Sequence, residues 1–199
     1  MKKVVLHAGC GTNGSSKLHS FFHSDDWQEL RVDINPEVEP DIVTSITNLK
    51  IIQTASIDAI WSSHSLEHVY SHEVPQALAE FHRVMKEDAV IVILVPDLQR
   101  VAEMIVDDNL DGTAYISNSG WPISPIDIIY GYGRALARGN LYYAHHTGFT
   151  AKGLDKALVE AGFAEVIVHR RDFELLAIAK KCLSGNTFTL AEFLATFNK

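Results

Sequence analysis

The chain has few cysteines, and their positions indicate neither a disulfide framework nor a metal site. Only Cys10 and Cys182 are present among 199 residues, and they lie near opposite ends of the sequence. Disulfide-rich domains use several cysteines, and structural zinc sites use closely spaced pairs. The sequence therefore predicts a protein of a reducing compartment, which we expect to be the cytoplasm.

Long apolar runs and clusters of basic residues are also missing. No stretch approaches the roughly 18 consecutive apolar residues that a membrane-spanning helix needs. The formal net charge is −8, and no basic run exceeds two residues, whereas a nucleic-acid-binding face requires clustered positive charge. The apolar stretch after Met1-Lys2-Lys3 is too short for a signal-peptide core. We expect one domain over residues 1–199, with neither a membrane nor a nucleic acid as partner.

The sequence does contain a regular alternation of short apolar strands and amphipathic helices. An uninterrupted apolar segment such as 89–95 is typical of a central strand buried on both faces. The short charged link 170–172 predicts that the last two strands are antiparallel. The pattern predicts strands at 4–6, 29–34, 41–43, 57–62, 89–95, 166–168 and 173–179, and helices at 15–23, 72–86, 97–106, 126–138, 150–161 and from 189 onward. The expected fold is α/β, a seven-stranded, mainly parallel, doubly wound sheet with an antiparallel last strand.

A glycine-rich turn directly follows the first predicted strand. Gly9, Gly11 and Gly14 form the pattern G-x-G-x-x-G, which lets the backbone N–H groups approach a ligand closely. Asp33 follows Gly11 by 22 residues and ends the second strand, where an acid can accept both hydroxyls of a ribose. The two features predict a cofactor that contains adenosine. The alternative for Asp33 is a solvated aspartate at the end of a strand, with no ligand.

These features, together with later blocks, resemble the class I S-adenosylmethionine-dependent methyltransferases of the small type-11 kind. The resemblance is carried by residues 6–12, Asp33, the Ser62-Ser63-His64-Ser65-Leu66-Glu67-His68 segment, and residues 79–86 with the strand 89–95. A weaker continuation runs from Gly148 through Phe163 to the closing hairpin. The resemblance implies a Rossmann-like sheet with seven strands and S-adenosyl-L-methionine as cofactor. It does not indicate a substrate.

The resemblance also assigns a cofactor site. It implies that the glycine turn lies under the methionine part, that Asp33 binds the ribose, and that residues after the second and third strands border the adenine. The cofactor-binding residues predicted in this way are His7, Gly9, Cys10, Gly11, Asp33, Ile34, Ser45, Ile46, Ser62, Ser63 and His64. His7 is a departure, because family members usually carry an acid there that organises the methionine ammonium group.

Two other interpretations use the same residues. His64-Ser65-Leu66-Glu67-His68 matches H-x-x-E-H, a zinc-protease pattern, but that site needs a regular helix and a further ligand. Here the pattern follows directly on a strand, so we expect no metal. A dinucleotide-dependent dehydrogenase would also use the glycine turn and the acid, but nothing downstream supports hydride transfer.

An insert of residues 107–149 precedes the helix predicted from 150, and it is rich in aromatic and polar side chains. Long loops at the carboxyl ends of parallel strands are usually functional. We therefore expect a small-molecule acceptor to bind there, and the predicted substrate-binding residues are Tyr130, Arg134, Arg138 and Tyr143. The two arginines, four apart on a predicted helix, would suit an anionic acceptor.

His145 and His146 are the predicted catalytic residues. If the acceptor is a hydroxyl, a base must remove its proton, and imidazole titrates near neutral pH. The alternative is a non-catalytic module that binds S-adenosylmethionine or a nucleotide. The presence of His7 in place of the usual acid favours this alternative.

Overall fold

A seven-stranded sheet forms the centre of the molecule in the computed structural model, which describes residues 2–12, 18–117, 119–183 and 189–197. Two further short strands pair with each other as a separate hairpin. The strands in chain order are β1 (Lys3–Ala8), β2 (Trp27–Asp33), β3 (Ile42–Val43), β4 (Ile57–Ser63), β5 (Met85–Pro96), β6 (Tyr115–Ile116), β7 (Pro122–Ile123), β8 (Glu165–Arg171) and β9 (Glu174–Lys180).

The order in the main sheet is β3-β2-β1-β4-β5-β9-β8. Strands β1 to β5 pair in parallel with their neighbours, and β9 lies antiparallel between β5 and β8. Because only two residues, Asp172 and Phe173, separate β8 from β9, the two strands must run in opposite directions. The predicted fold class, including the antiparallel last strand, is confirmed.

The described helices follow the predicted order with shifted ends. Val74–Val84 buries Val74, Ala77, Leu78, Phe81 and Val84, the stripe expected from helical spacing. The helices are α1 (Val74–Val84), α2 (Leu98–Val106), α3 (Pro125–Tyr130), α4 (Gly133–Leu136), α5 (Ala151–Glu160) and α6 (Leu190–Phe197). Of the helix predicted at 15–23, residues 15–17 lie outside the described residues, and a short 3₁₀ helix forms at Ser20–His23.

The helix predicted at 126–138 is wrong as a single helix. The chain leaves the helical conformation at Gly131, which has φ +99°, and it restarts as α4. A side chain at Gly131 would also collide with the backbone of Tyr143, to which this turn is packed. The break therefore reflects a tertiary contact that helical periodicity does not encode.

Apolar side chains cover both faces of the sheet. One cluster includes Leu78 and Phe81 of α1 and Leu154 and Leu158 of α5. On the opposite face, Phe193 of α6 and its neighbours pack with aromatic side chains of the β1–β2 connection and of β4. Within the described residues, no helix has the length and apolar character needed to cross a membrane. This double packing leaves the carboxyl edge of the parallel strands as the place for a ligand.

Candidate functional site

One cleft of about 940 Å³ runs along the carboxyl ends of the parallel strands, where open α/β sheets bind their ligands. We call its two parts the strand end and the insert end. The strand end is lined by Gly9, Gly11, Thr12, Asp33, Ile34, Asn35, Glu37, Val38, Thr44, Ser45 and Ile46. The insert end is lined by His64, Ser65, Glu67, His68, Val69, Pro96, Tyr115, Ile116, Ser117, Ile123, Asp127, Ile128, Tyr132, Asn140, Tyr142, Tyr143, His145, Arg171, Asp172, Phe173 and Glu174.

The glycine turn after β1 needs glycine for two physical reasons. Gly9 has φ +69° and Gly11 has φ +63°, a region that other residues adopt at a cost. A Cβ on Gly9 would also lie 2.4 Å from the Cβ of Ser65. Gly9 thus allows the β1 turn to pack against the corner after β4, so the strand end and the insert end are in direct contact here.

Asp33 closes the turn from the neighbouring strand. Its Oδ2 accepts a hydrogen bond from Gly11 N at 2.9 Å, and its Oδ1 accepts one from Asn35 N at 2.9 Å. A carboxylate has about four lone-pair sites, so these two bonds leave capacity for a ligand. The Arg31 guanidinium donates to the carbonyls of Gly11 and Glu39 and holds the same turn from the other side.

The loop after β3 is braced by an ion pair on α1. Glu80 accepts a hydrogen bond from Leu49 N at 2.6 Å, and Arg83 donates to Glu80 and to the carbonyls of Leu49 and Ile52. The bond from Arg83 lowers the pKa of Glu80, so the pair is charged at neutral pH. This brace supports the loop that contributes Ser45 and Ile46 to the cleft.

The corner after β4 is held by polar contacts between side chains. Ser62 and Ser65 share a hydrogen bond of 2.6 Å between their hydroxyls. His64 has φ +51°, and its two ring nitrogens lie 3.2 Å from Glu67 Oε1 and 2.8 Å from Glu174 Oε1. Burial opposes a charge on this ring, but the two carboxylates outweigh burial and raise the pKa of His64. His64 therefore links β4 to the start of β9 as a cation between two acids.

The insert folds over this corner through backbone contacts. Glu67 O accepts hydrogen bonds from His146 N and Thr147 N, and His145 N donates to Tyr130 O. Tyr115 of β6 stacks on Phe173 in the β8–β9 turn, with ring centroids 5.9 Å apart. The insert is consequently attached to both the β4 corner and the closing hairpin.

His68 and His145 face each other at the insert end. Their ring centroids are 4.8 Å apart at an angle of 71°. His68 Nδ1 lies 2.9 Å from Ala144 O, and His145 Nδ1 lies 2.9 Å from Ile128 O. Burial lowers the pKa of His145 and keeps this ring neutral at neutral pH.

The cleft is acidic. Its described lining residues carry two positive groups, the Arg171 guanidinium and the protonated ring of His64, against six carboxylates: Asp33, Glu37, Glu67, Asp127, Asp172 and Glu174. Burial alone would raise the pKa of Glu67, Asp127 and Glu174, but hydrogen bonds from their neighbours lower each of these pKa values. These three acids are therefore ionised at neutral pH, and the cleft favours positive charge.

Comparison with known proteins agrees with this geometry. Residues 6–93 match the family model described as a methyltransferase domain. A methyltransferase dependent on S-adenosylmethionine from Archaeoglobus fulgidus is 16% identical, with a TM-score of 0.59 over 90% of this chain and 86% of that chain. Residues 6–93 thus match a methyltransferase domain, and the chain has the fold of solved S-adenosylmethionine-dependent methyltransferases.

Other solved methyltransferases share the fold. One from Methanosarcina mazei is 18% identical, with a TM-score of 0.57 over 92% of this chain and 94% of that chain. The 1,6-didemethyltoxoflavin-N1-methyltransferase of Burkholderia thailandensis, solved with 1,6-didemethyltoxoflavin and S-adenosylhomocysteine, is 16% identical, with a TM-score of 0.56 over 91% of this chain and 72% of that chain. No curated protein matches the sequence significantly.

The strand end fits S-adenosylmethionine, the cofactor of the matched methyltransferase domain. Asp33 has lone pairs left for two ribose hydroxyls, and Ile34, 54% exposed, offers an apolar surface to an adenine. The turn at Gly9 and Gly11 brings backbone to the cleft surface without side chains. An adenosine joined to a small amino acid requires oxygen atoms that accept hydrogen bonds from its hydroxyls, an apolar surface for its base and exposed backbone close to its amino-acid part.

The structure places most of the predicted cofactor residues of the methyltransferase domain on the cleft and some behind it. Those on the cleft are Gly9, Gly11, Asp33, Ile34, Ser45, Ile46 and His64. His7, Cys10 and Ser62 are buried, and Ser63 is half-buried on β4. His7 Nδ1 lies 2.6 Å from Glu29 Oε1 on β2. Burial raises the pKa of the Cys10 thiol to about 11, so the thiol is protonated at neutral pH.

The predicted catalytic and substrate residues divide in the same way. His145 and Tyr143 line the cleft. His146 is exposed and stacks on Tyr70 with centroids 4.3 Å apart. Tyr130, Arg134 and Arg138 are exposed and are not among the lining residues, and Arg134 lies over the Trp121 ring at 4.2 Å.

Sequence reasoning missed the contribution of the closing hairpin. Residues 171–174 line the insert end, and Glu174 pairs with His64. The sequence shows the charged link at 170–172, but we interpreted it only as the connection between two strands. Glu67 and His68 were also recognised in the sequence, but as part of a zinc-protease pattern that pairs His68 with His64.

Proposed function

We propose that this chain transfers the methyl group of S-adenosylmethionine to a nitrogen or oxygen atom of a small acceptor that is neutral or positively charged. The observation that carries the proposal is that the strand end and the insert end line one continuous cleft of about 940 Å³. Small-molecule sites commonly occupy about 300–1,000 Å³. A cofactor and a small acceptor can therefore share this cleft.

The charge of the cleft supports the acceptor class. Its lining contains six carboxylates against one guanidinium and the protonated ring of His64, so an anionic acceptor would be repelled while an amine would be attracted. Arg134 and Arg138, which suggested an anionic acceptor in the sequence, lie outside the lining. Tyr115, Tyr132 and Tyr143 add the aromatic surface that orients a small ligand.

The chain's own groups would act mainly by positioning. When bound, the cofactor supplies a methyl group activated by the positive charge of its sulfonium. Asp33 holds the adenosine part, the glycine turn lies under the methionine part, and the insert covers the acceptor and excludes water. Alignment of two reactants can contribute about 7–11 kcal/mol in favourable cases. The neutral ring of His145 is available at the insert end to accept a proton from the acceptor.

Ligand-dependent thermal unfolding tests the cofactor half of the proposal. We expect S-adenosylhomocysteine to raise the unfolding temperature and NAD to leave it unchanged, because a ligand at 100 times its Kd adds about 2.7 kcal/mol to the stability of the native state. No response to S-adenosylhomocysteine would contradict the proposal.

Turnover on matched acceptors tests the other half. S-adenosylhomocysteine release is measured with benzylamine, benzyl alcohol and benzoate, which share a scaffold and differ in charge, followed by larger sets of the same three classes. We expect turnover among amines or alcohols. Turnover confined to carboxylates would contradict the acceptor class, and cofactor binding without turnover of any class would favour the non-catalytic binding module.

A further inference from the structure

Three metal-ligating side chains meet at the insert end. Glu67, His68 and His145 each offer one ligand atom, and these atoms all lie within 4.8 Å of one another. Glu67 and His68 belong to the short 3₁₀ helix Leu66–His68 after β4, whereas His145 comes from the end of the insert. All three residues line the cleft. The fold therefore brings together a carboxylate and two imidazoles from segments that are distant in sequence.

The two histidines are held in the tautomer that a metal requires. A carbonyl oxygen can only accept a hydrogen bond, so the contacts of His68 Nδ1 with Ala144 O and of His145 Nδ1 with Ile128 O place the proton on Nδ1 in both rings. In both rings Nε2 is then the nitrogen that remains for a metal ion. Histidines that bind metals almost always donate their other ring N–H to a carbonyl or carboxylate in this way.

Glu67 supplies an independent observation. Its side chain is 1% exposed, and its Oε2 has no hydrogen-bond partner among residues 2–12, 18–117, 119–183 and 189–197. Its other oxygen, Oε1, lies 3.2 Å from His64 Nδ1, within hydrogen-bond distance. A buried carboxylate oxygen without a partner is costly. A cation between Glu67 and the two rings would satisfy it.

We propose that Glu67, His68 and His145 form a binding site for a divalent transition-metal ion at the insert end of the cleft. Two imidazoles and one carboxylate are the donor set of many zinc and iron(II) sites. Three protein ligands leave coordination positions open toward the cleft, where a hydroxyl or water can bind. An ion held there would act as a Lewis acid on a bound hydroxyl or water. While the ion is bound, His145 serves as a ligand, and its proposed role as a proton acceptor applies to the metal-free site.

This site differs from the one that the H-x-x-E-H pattern indicates. That pattern pairs His64 with His68 as ligands, but His64 is held between Glu67 and Glu174. The third ligand is His145, which follows His68 by many residues and belongs to the insert. The acidic lining of the cleft further favours a cation at this position.

Metal titration of the full chain tests the proposal. The protein is freed of metal with a chelator and titrated with Zn²⁺ by calorimetry and with Co²⁺ by visible absorption. We expect one ion per chain and a Co²⁺ spectrum of nitrogen and oxygen ligands. We expect the Kd for the metal to rise at least about tenfold in each of three variants, Glu67→Gln, His68→Ala and His145→Ala. Even changes to residues that only contact a ligand cost 10–100-fold in metal affinity. His146→Ala is the matched control, because this neighbouring histidine is exposed and lies off the cleft; its Kd should match that of the unmodified chain.

Several outcomes would overturn the site. These are a Kd weaker than about 100 μM in the unmodified chain, unchanged binding in all three variants, equal loss in the control, or a sulfur-to-cobalt charge-transfer band that assigns the ion to a cysteine. Binding of S-adenosylhomocysteine by each variant shows that it is folded, and Glu67→Gln keeps the shape of the side chain. Zinc binding needs no cofactor, so this result is independent of the proposed methyl transfer.

Discussion

The strand end and the insert end of the cleft are built in different ways. The strand end comes from short segments within the first 46 residues, and the side chains of Asp33 and Arg31 hold it through hydrogen bonds to nearby backbone groups. The insert end joins three segments that are far apart in sequence, and side chains such as His64 and Glu174 hold them together. Local backbone geometry is shared by many proteins that bind one cofactor, whereas distant side chains can vary with the acceptor. We therefore propose that the strand end binds the cofactor and that the insert end determines which acceptor is used.

The largest effect expected at the strand end is that of Asp33→Ala. The substitution removes the acceptor of Gly11 N and Asn35 N together with the group proposed to bind the ribose. Hydrogen bonds to a charged group contribute about 1.5–3 kcal/mol each, so the Kd for S-adenosylhomocysteine should rise at least about 100-fold. Calorimetry measures this change, and Asp25→Ala, at an exposed aspartate before β2, is the control. An unchanged Kd in folded Asp33→Ala would remove Asp33 from the site.

Gly9→Ala tests the contact between the two ends. A methyl group there combines an unfavourable φ of +69° with a clash against Ser65, which together should cost about 3 kcal/mol of unfolding free energy. Gly139→Ala is a matched control, because φ is +85° and nothing lies within 4 Å of the added Cβ; it should cost only about 1 kcal/mol. Urea unfolding measures both values. Equal losses would mean that crowding between the turn and the β4 corner contributes nothing.

This difference between the ends also determines what the sequence can reveal. The succession of strands and helices along the chain, the glycine turn and Asp33 follow from apolar periodicity and from residues that backbone geometry requires, so they can be recognised in a single sequence. The partnership of His64 with Glu174 spans 110 residues, and no periodicity predicts it. The break at Gly131 likewise depends on the close approach of Tyr143, which exists only after the insert has folded. Tertiary contacts of this kind explain why the helix predicted at 126–138 is broken, whereas the first strands are found where they were predicted.

Glu80→Gln should weaken the support of the strand end from a distance. Glu80 binds Leu49 N and Arg83 below the loop that contributes Ser45 and Ile46, and loss of its charge should cost about 2 kcal/mol at neutral pH. Because the bond from Arg83 lowers the pKa of Glu80 below its ordinary value of 4.5, the contribution is present above that pH and is lost as the pH falls through the lowered pKa.

Urea unfolding of both proteins at several pH values checks this prediction. The difference between the original chain and Glu80→Gln should shrink as the pH falls below 4.5. Glu103→Gln is the control, since Glu103 forms the same kind of pair with Arg100 on an exposed helix face, where such pairs contribute little. A constant difference at all pH values would show that the charge of Glu80 is not what stabilises the loop.

The smallest effects are expected from the arginines that the sequence assigned to the acceptor. Arg138→Ala should leave the unfolding free energy within about 0.5 kcal/mol, because it changes an exposed side chain away from the cleft. Arg134→Ala should cost slightly more, up to about 1 kcal/mol, since it loses the contact over the Trp121 ring. Neither should change the Kd for S-adenosylhomocysteine or the turnover of a neutral or cationic acceptor. Urea unfolding and kinetics on the first acceptor found would measure both, and a raised KM in Arg138→Ala would return this arginine to the acceptor site.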